Sequence, residues 1–352
     1  MGLQKVRKAI DAIDDQIMQL LNCRAKEVLR VNALKEKNKL DIYAPQREAA
    51  ILARLKRIKS SSLSAEDIEI IFREIFSVFR SLQNPVRVVY LGPEGTFTQA
   101  AAMKQFGKRA AYRAVATISD VFDEVERAET DYGVVPIENS IEGVINYTLD
   151  VFFDSPLKIC AEVTLPISHA LLARRGVTIK RIYSKLEVFP QCRRWLNQHY
   201  PHVELVPASS TAKAAILANG DRYGACIGHK SLAALYDLHI IASSIEDAAH
   251  NVTRFLVIAK NDSFASGNDK TSVLFSVKDR VGVLYDVLAS FKQYKINLTK
   301  IESRPSKKKP WEYYFFVDFL GHRSSPRVEK ALRALARHCV FLKILGSYPK
   351  ER

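Results

Sequence analysis

Apolar residues recur at Val6, Ile10, Ile13, Ile17, Leu20 and Leu21, then at Val28 and Val31, the period of a helix with one apolar face. No glycine or proline interrupts Leu3 to Asp41. The pattern therefore predicts one helix of about 50 Å, too long to lie along a compact monomer of this size. A second helix is expected from Pro45, because proline suits a first turn. A third should follow Ser64, where Ser64-x-x-Asp67 has capping-box spacing. Asn84-Pro85 reads as the first linker. Beyond it, short apolar runs (Val88–Leu91, Tyr132–Val135, Ala225–Ile227) end in glycine- or proline-bearing turns and alternate with helical stretches, which predicts an α/β region of mostly parallel strands. Gly267-Asn268-Asp269 reads as a second linker. After it the pattern runs strand (Ser272–Val277), helix (Val283–Tyr294), strand (Asn297–Ser303), strand (Tyr313–Leu320), helix (Pro326–His338), strand (Phe341–Leu345), a βαββαβ order.

Three domains follow: 1–84, 85–264 and 270–352. A chain of 352 residues suits two or three. No run of eighteen apolar residues marks a membrane span, and the first residues lack the apolar core of a signal peptide. The five cysteines are scattered without a C-x-x-C pair, which points to a reducing cytoplasm, and the eight histidines show no metal spacing. The net charge of +15 sits in the head and tail, while the middle carries 19 basic against 19 acidic residues. The tail's cations lie among alternating strands, so attraction of small anions or plain solubility explains them, and no nucleic-acid partner is expected.

Arg24 and Lys35 are eleven residues apart, close to three turns, and share a helix face. Arg7 lies about 25 Å from Arg24 along the axis and on another face, so it reaches the same ligand only from a partner chain. On spacing alone, solvated surface charge is the simpler reading. Arg7 in Val-Arg-Lys, Arg24, Lys35, Arg47-Glu48 after Tyr43-Ala-Pro45, and Gln83 together resemble the all-helical chorismate mutase family over residues 3–83. The resemblance implies that Arg7, Arg24 and Arg47 bind the substrate's carboxylates. Lys35 and Gln83 would donate to the breaking ether oxygen, and Glu48 would accept from the ring hydroxyl. Such catalysis is positioning and charge stabilisation without cofactor. Phe79 stands where the family often has serine, and Ala44 where it often has a carboxylate.

In the middle, Gly92-Pro93-Glu94-Gly95-Thr96-Phe97-Thr98 follows a strand and opens a helix, a turn whose N–H groups suit a carboxylate. Val135-Pro136-Ile-Glu138-Asn139-Ser140-Ile-Glu142-Gly143 puts an acid and an amide at a strand's carboxyl end. Asn139 and Ser140 also read as caps for the next helix, and capping is the better reading of Ser209-Ser210-Thr211. With Asn251-x-Thr253-Arg254-Phe255, residues 87–262 resemble the prephenate dehydratase family. The implied fold is two lobes with two crossings, similar to periplasmic binding proteins. Thr253 would serve the leaving hydroxyl, assisted by Asn139, Ser184 and Gln191. Lys185-Leu186 replaces the family's usual His-Pro after the serine.

In the tail, Arg280-Val-Gly282-Val-Leu284-Tyr285, Asn297-Leu-Thr-Lys-Ile-Glu302-Ser303-Arg304-Pro305 and Gly346-Ser-Tyr348-Pro349 resemble a phenylalanine-sensing ACT domain. The resemblance implies an effector site at Gly282, Leu284, Glu302, Ser303, Arg304 and Pro305, formed where such domains pair. Without it, Glu302 and Arg304 read as a surface pair. Val281 and Val283 replace the common proline and alanine. The combined expectation is a cytoplasmic bifunctional enzyme of phenylalanine biosynthesis, chorismate mutase and prephenate dehydratase, with substrates chorismate and prephenate. It would carry no cofactor or metal, be feedback-inhibited by phenylalanine, and form a homodimer or higher homo-oligomer. The alternative is a non-catalytic ligand-binding regulator with a decayed mutase head.

Overall fold

The computed structural model describes residues 2–38, 43–58, 62–82, 85–248, 250–278, 280–305 and 313–351. Its head is three helices, α1 (Leu3–Lys37), α2 (Pro45–Leu55) and α3 (Ala65–Arg80). The first runs 35 residues without a break, as its periodicity predicts. Its apolar stripe, including Val6, Ile10, Ile13, Ile17 and Leu20, is exposed in the single chain. Proline occupies the first turn of α2. At α3 the capping box closes: the Ser64 hydroxyl accepts from the Asp67 N–H at 3.1 Å, and the Asp67 carboxylate accepts from the Ser64 N–H at 2.9 Å. The tyrosine preceding α2 anchors the head, since the Tyr43 ring packs on Phe106 and Tyr132 of the next domain.

The middle forms two lobes. The first holds β1 (Arg87–Leu91), α4 (Phe97–Phe106), β2 (Ala111–Val115), α5 (Ile118–Glu126), β3 (Tyr132–Asn139), β4 (Gly143–Val144), α6 (Asn146–Asp154) and β5 (Lys158–Pro166). The chain then crosses to the second: β6 (Ala170–Ala173), β7 (Arg181–Lys185), α7 (Val188–Gln191), α8 (Arg193–His199), β8 (Glu204–Ala208), α9 (Thr211–Gly220), β9 (Gly224–Gly228), α10 (Leu232–Leu235) and β10 (His239–Ser243). It returns as β11 (Val252–Ala259), inserted between β3 and β5. The sheet orders are β2-β1-β3-β11-β5, with β4 beside β3, and β10-β6-β9-β7-β8.

Parallel pairing is confined to β1 with β2 and β3, and β7 with β8 and β9. The expectation of mostly parallel strands therefore holds only around those two. The strands that leave or re-enter a lobe run antiparallel: β11 against β3 and β5, and β6 against β9 and β10. A strand arriving from the other lobe enters from the opposite end, and that depends on the chain's path rather than on its local pattern.

The tail is β12 (Asp269–Val277), α11 (Val283–Gln293), β13 (Leu298–Pro305), β14 (Tyr313–Leu320), α12 (Pro326–Ala336) and β15 (Cys339–Pro349), with sheet order β13-β14-β12-β15. One face of this sheet lies under the two helices through Phe275, Val317 and Phe319 against Val287, Phe291 and Leu335. The other presents Leu274, Phe316, Leu345 and Tyr348 to the first lobe, joining Val135, Ile137, Leu256 and Ile258 in one core. The approach is close: a Cβ on Gly346 would collide with the backbone of Ile159. Among the described residues, no helix is long and apolar enough to cross a membrane.

Candidate active sites and effector site

The two crossings between the lobes bring the middle domain's polar residues together. Asn139 ends β3 and lies directly opposite Thr253 on β11. Its amide nitrogen donates to the Thr253 hydroxyl at 2.8 Å and to the side-chain oxygen Oδ1 of Asn251 at 2.7 Å. Its carbonyl accepts from the N–H groups of Ile141 and Glu142 at 2.9 and 3.0 Å, which tightens the turn after β3. The capping reading of Asn139 and Ser140 does not hold, because the next helix, α6, has Ile145 as its N-cap with no side-chain cap; Asn139 instead holds the turn into β4 with its side chain fixed on Thr253. Ser140 bonds only the neighbouring crossing, donating to the His250 carbonyl and accepting from the Val252 N–H.

Gln191, at the end of α7, extends this network. Its amide nitrogen donates to the Glu142 carboxylate, so its oxygen faces Asn251, from which it accepts at 2.8 Å, and His169 Nε2 at 3.0 Å. An amide oxygen only accepts, so His169 carries its proton on Nε2 and leaves Nδ1 bare. That Nδ1 is buried without a hydrogen-bond partner. Burial lowers the His169 pKa below the ordinary value, against the pull of Gln191 and Glu246. Phe97, from the glycine-rich turn, meets the rings of both His169 and His229 edge-on and closes an apolar side of the cleft. Within that turn, Gly95 has a φ of 86°, and a Cβ there would strike Leu232 of the second lobe.

Ser184 lies apart from this network. It is fully buried, and its hydroxyl donates to the Ile227 carbonyl at 2.8 Å. The following Lys185 is exposed and pairs with Glu187. Ser210 caps α9 by accepting from the Lys213 N–H at 3.0 Å, as the capping reading expects.

In the head, Arg24 and Lys35 are both half-buried on one face of α1, with buried Asn32 between them. The Arg24 guanidinium stacks over Phe79, 4.5 Å from the ring centroid, so the residue standing in place of a serine supplies an aromatic floor. Burial lowers the Arg24 pKa, offset by the nearby Glu48 carboxylate. Burial pushes the Glu48 carboxyl up, while Arg80, Arg73 and Lys35 pull it back. Among the described residues, Arg24 Nη1, Asn32 Nδ2 and Gln46 Oε1 are buried without partners. Such atoms are costly unless a ligand satisfies them. Arg7 and Arg47 are exposed, whereas Arg24, Lys35 and Glu48 gather within one chain. Gln83 lies outside the described residues.

In the tail, Gly282 adopts a left-handed conformation (φ 76°) as the N-cap of α11, with open space around it. Val281, Leu284 and Tyr285 beside it are exposed. Glu302, Ser303, Arg304 and Pro305 end β13, where alternate residues face the first lobe. Arg304 pairs with Asp150 there at 3.2 Å. No side-chain hydrogen bond joins this segment to Gly282 or Leu284 among the described residues.

Sequence reasoning missed three participants. Asn251, two residues before Thr253 in its motif, holds both Asn139 and Gln191. His169 is a lone histidine at a lobe crossing, with no local signal. Arg80 interrupts the apolar face of α3, where it pairs with Glu48, stacks over Tyr43 and donates to the Phe106 carbonyl at 2.8 Å. An arginine inside an otherwise apolar stripe is the signal that would have found it.

Three family models match in turn: chorismate mutase type II over residues 6–84, prephenate dehydratase over 88–263 and the ACT domain over 271–337. A bifunctional chorismate mutase/prephenate dehydratase of Aquifex aeolicus is 47% identical over 354 residues, covering 99% of this chain and 98% of that protein. The protein of the same description in Pseudomonas aeruginosa is 42% identical, with 99% and 98% coverage. Among solved structures, prephenate dehydratase from Arthrobacter aurescens in complex with L-Phe superposes with a TM-score of 0.70 at 36% identity, over 75% of this chain and 90% of that one. That of Staphylococcus aureus does so with a TM-score of 0.66 at 30% identity, over 75% and 100%. With three domain models in this order and full-length relatives well above 30% identity, this chain belongs to the bifunctional chorismate mutase/prephenate dehydratase family.

Proposed function

We propose that the chain performs its two reactions at the two polar sites described above. It is a bifunctional enzyme: it rearranges chorismate to prephenate, then decarboxylates and dehydrates prephenate to phenylpyruvate, with phenylalanine as feedback inhibitor. In the head, Arg24 binds a substrate carboxylate and Lys35 donates to the ether oxygen, where negative charge grows as the bond breaks. Glu48 accepts from the ring hydroxyl with Arg80 holding it in place. Gln83 assists at the ether oxygen, and Arg47 binds the substrate's other carboxylate. Arg7 comes from a second copy of the chain, which also covers the exposed stripe of α1. Phenylalanine occupies a site built from Gly282 and Leu284 with Glu302–Pro305 where two tails pair. Exposed Val281, Tyr285 and Ile301 support such pairing.

The observation that carries the dehydratase reading is the bond from Asn139 to the Thr253 hydroxyl. Because the Thr253 oxygen accepts from Asn139, its own proton remains to be donated to the departing hydroxyl. Asn251 and Gln191 fix that pair, and Phe97 excludes water on the side where aromatisation proceeds. Ser184 acts from behind, fastening β7 to β9. Reading the chain as a non-catalytic regulator leaves the buried unpaired groups of the head and the donor at Thr253 without a purpose. The test is to incubate the purified protein with chorismate and follow both products. Prephenate should appear transiently and phenylpyruvate should accumulate, with added phenylalanine slowing the second step. A protein that consumes neither chorismate nor prephenate would be the regulator instead.

A further inference from the structure

The rung next to the Asn139–Thr253 pair is Glu138 opposite Arg254. Successive residues of β11 point to opposite faces, so Thr253 faces the cleft while Arg254 faces the tail. The register shifts here: Arg254 pairs with Glu138 and Phe255 with Pro136, leaving Ile137 as a bulge that turns Glu138 to the same side as Arg254. Arg254 is buried and its donors are divided between two domains. Nε meets Glu162 at 2.7 Å and Nη1 meets Glu138 at 3.0 Å, both on the first lobe. Nη1 also meets Asp318 at 2.6 Å and Nη2 the Tyr348 hydroxyl at 2.9 Å, both in the tail sheet. Glu138 in turn pairs with Lys300 of β13. Asp318, with no exposed side-chain surface, is fixed by the Ser272 hydroxyl.

Parting Asp318 from Arg254 would leave a fully buried carboxylate without its cation, which is costly, so Arg254 follows Asp318 if the tail sheet shifts. Lys300 stands two residues before Glu302, on the same face of the strand that ends in the effector segment. We propose that Glu138 and Arg254 are positioning residues for the dehydratase site. Their placement is set by Lys300 and Asp318 of the tail, so this ion cluster carries phenylalanine binding to Asn139 and Thr253. The inference rests on the dehydratase and effector readings above, which the parent enzyme tests separately through its own turnover and inhibition.

The experiment uses full-length Lys300→Met, Lys300→Arg and Tyr348→Phe proteins. Each is assayed for mutase rate, for dehydratase kcat and KM, for inhibition by phenylalanine, and for phenylalanine binding by calorimetry. Lys300→Met should bind phenylalanine within about threefold of the parent yet need at least tenfold more for half-inhibition, with unchanged mutase rate. Lys300→Arg should restore inhibition. Tyr348→Phe, which removes one bond to Arg254 and conserves shape, should shift inhibition in the same direction by a smaller factor. Inhibition at the parent's concentration in both Lys300→Met and Tyr348→Phe would overturn the proposal. So would loss of binding and inhibition together in Lys300→Met, which would make Lys300 part of the effector site itself.

Discussion

A hydroxyl that must release a proton to a leaving group has to be held by its oxygen, and that is the position of Thr253 under the Asn139 amide. The cations of the head follow the same logic in reverse. Arg24 is desolvated and has an unsatisfied nitrogen, a donor that the proposed function assigns to a substrate anion. Arg24→Ala should lower mutase kcat/KM by about 100-fold or more, about 2.7 kcal/mol of transition-state stabilisation, and leave dehydratase turnover intact. Equal loss of both activities would instead indicate a folding defect. The histidines make a pH prediction. Burial depresses both His169 and His229, so each ring takes up its proton at a lower pH in the folded protein than in the unfolded chain, where it does so at about pH 6.5. The unfolded state then binds more protons, so this contribution to stability is full above that pH and lost as pH falls. The melting temperature should drop between pH 7 and pH 5, and His169→Gln should flatten the profile; a variant with the parent's slope would remove His169 as a cause. Thr253 and Asn139 were legible through motifs that resemble a known family, although they stand 114 residues apart. His169 was not, because a lone histidine at a lobe crossing carries no local pattern and its partners Gln191 and Glu246 come from other segments.

At the level of elements, periodicity carried most of the information. The long helix, the proline start of α2, the Ser64 box and the six-element order of the tail all follow from local pattern, because each depends on residues within a turn or a pleat. Strand direction around β11 did not, since it is set by where the chain re-enters the first lobe. The β3 bulge was equally invisible, although it decides which way Glu138 points. The exposed stripe of α1 makes the clearest prediction at this scale. In the proposed pairing, burying large apolar side chains against a second copy contributes about 1.5–3 kcal/mol each, so a charge placed there should separate the copies. Ile13→Asp should shift the protein toward a smaller species in analytical ultracentrifugation and lower mutase activity at least tenfold, because Arg7 is withdrawn. A variant that keeps full mutase activity as a monomer would show that one chain completes the site.

Over the whole molecule, the head rests on the first lobe through Tyr43 and Arg80, while the tail shares a hydrophobic core with that lobe. The dehydratase cleft thus opens between lobes whose first member touches both other domains. That arrangement was partly written in the sequence: the order of mutase, dehydratase and sensor is read along the chain, whereas the lobe that joins them emerges only from packing. The proposed function needs two separable chemistries in one polypeptide, the second depending on the Thr253 proton. The most direct measurement is the product time course of Thr253→Ala supplied with chorismate alone. Chorismate should disappear at the parent's rate while prephenate accumulates and phenylpyruvate forms at least 100-fold more slowly. Phenylpyruvate appearing at the parent's rate from that variant would contradict the assignment of the second site.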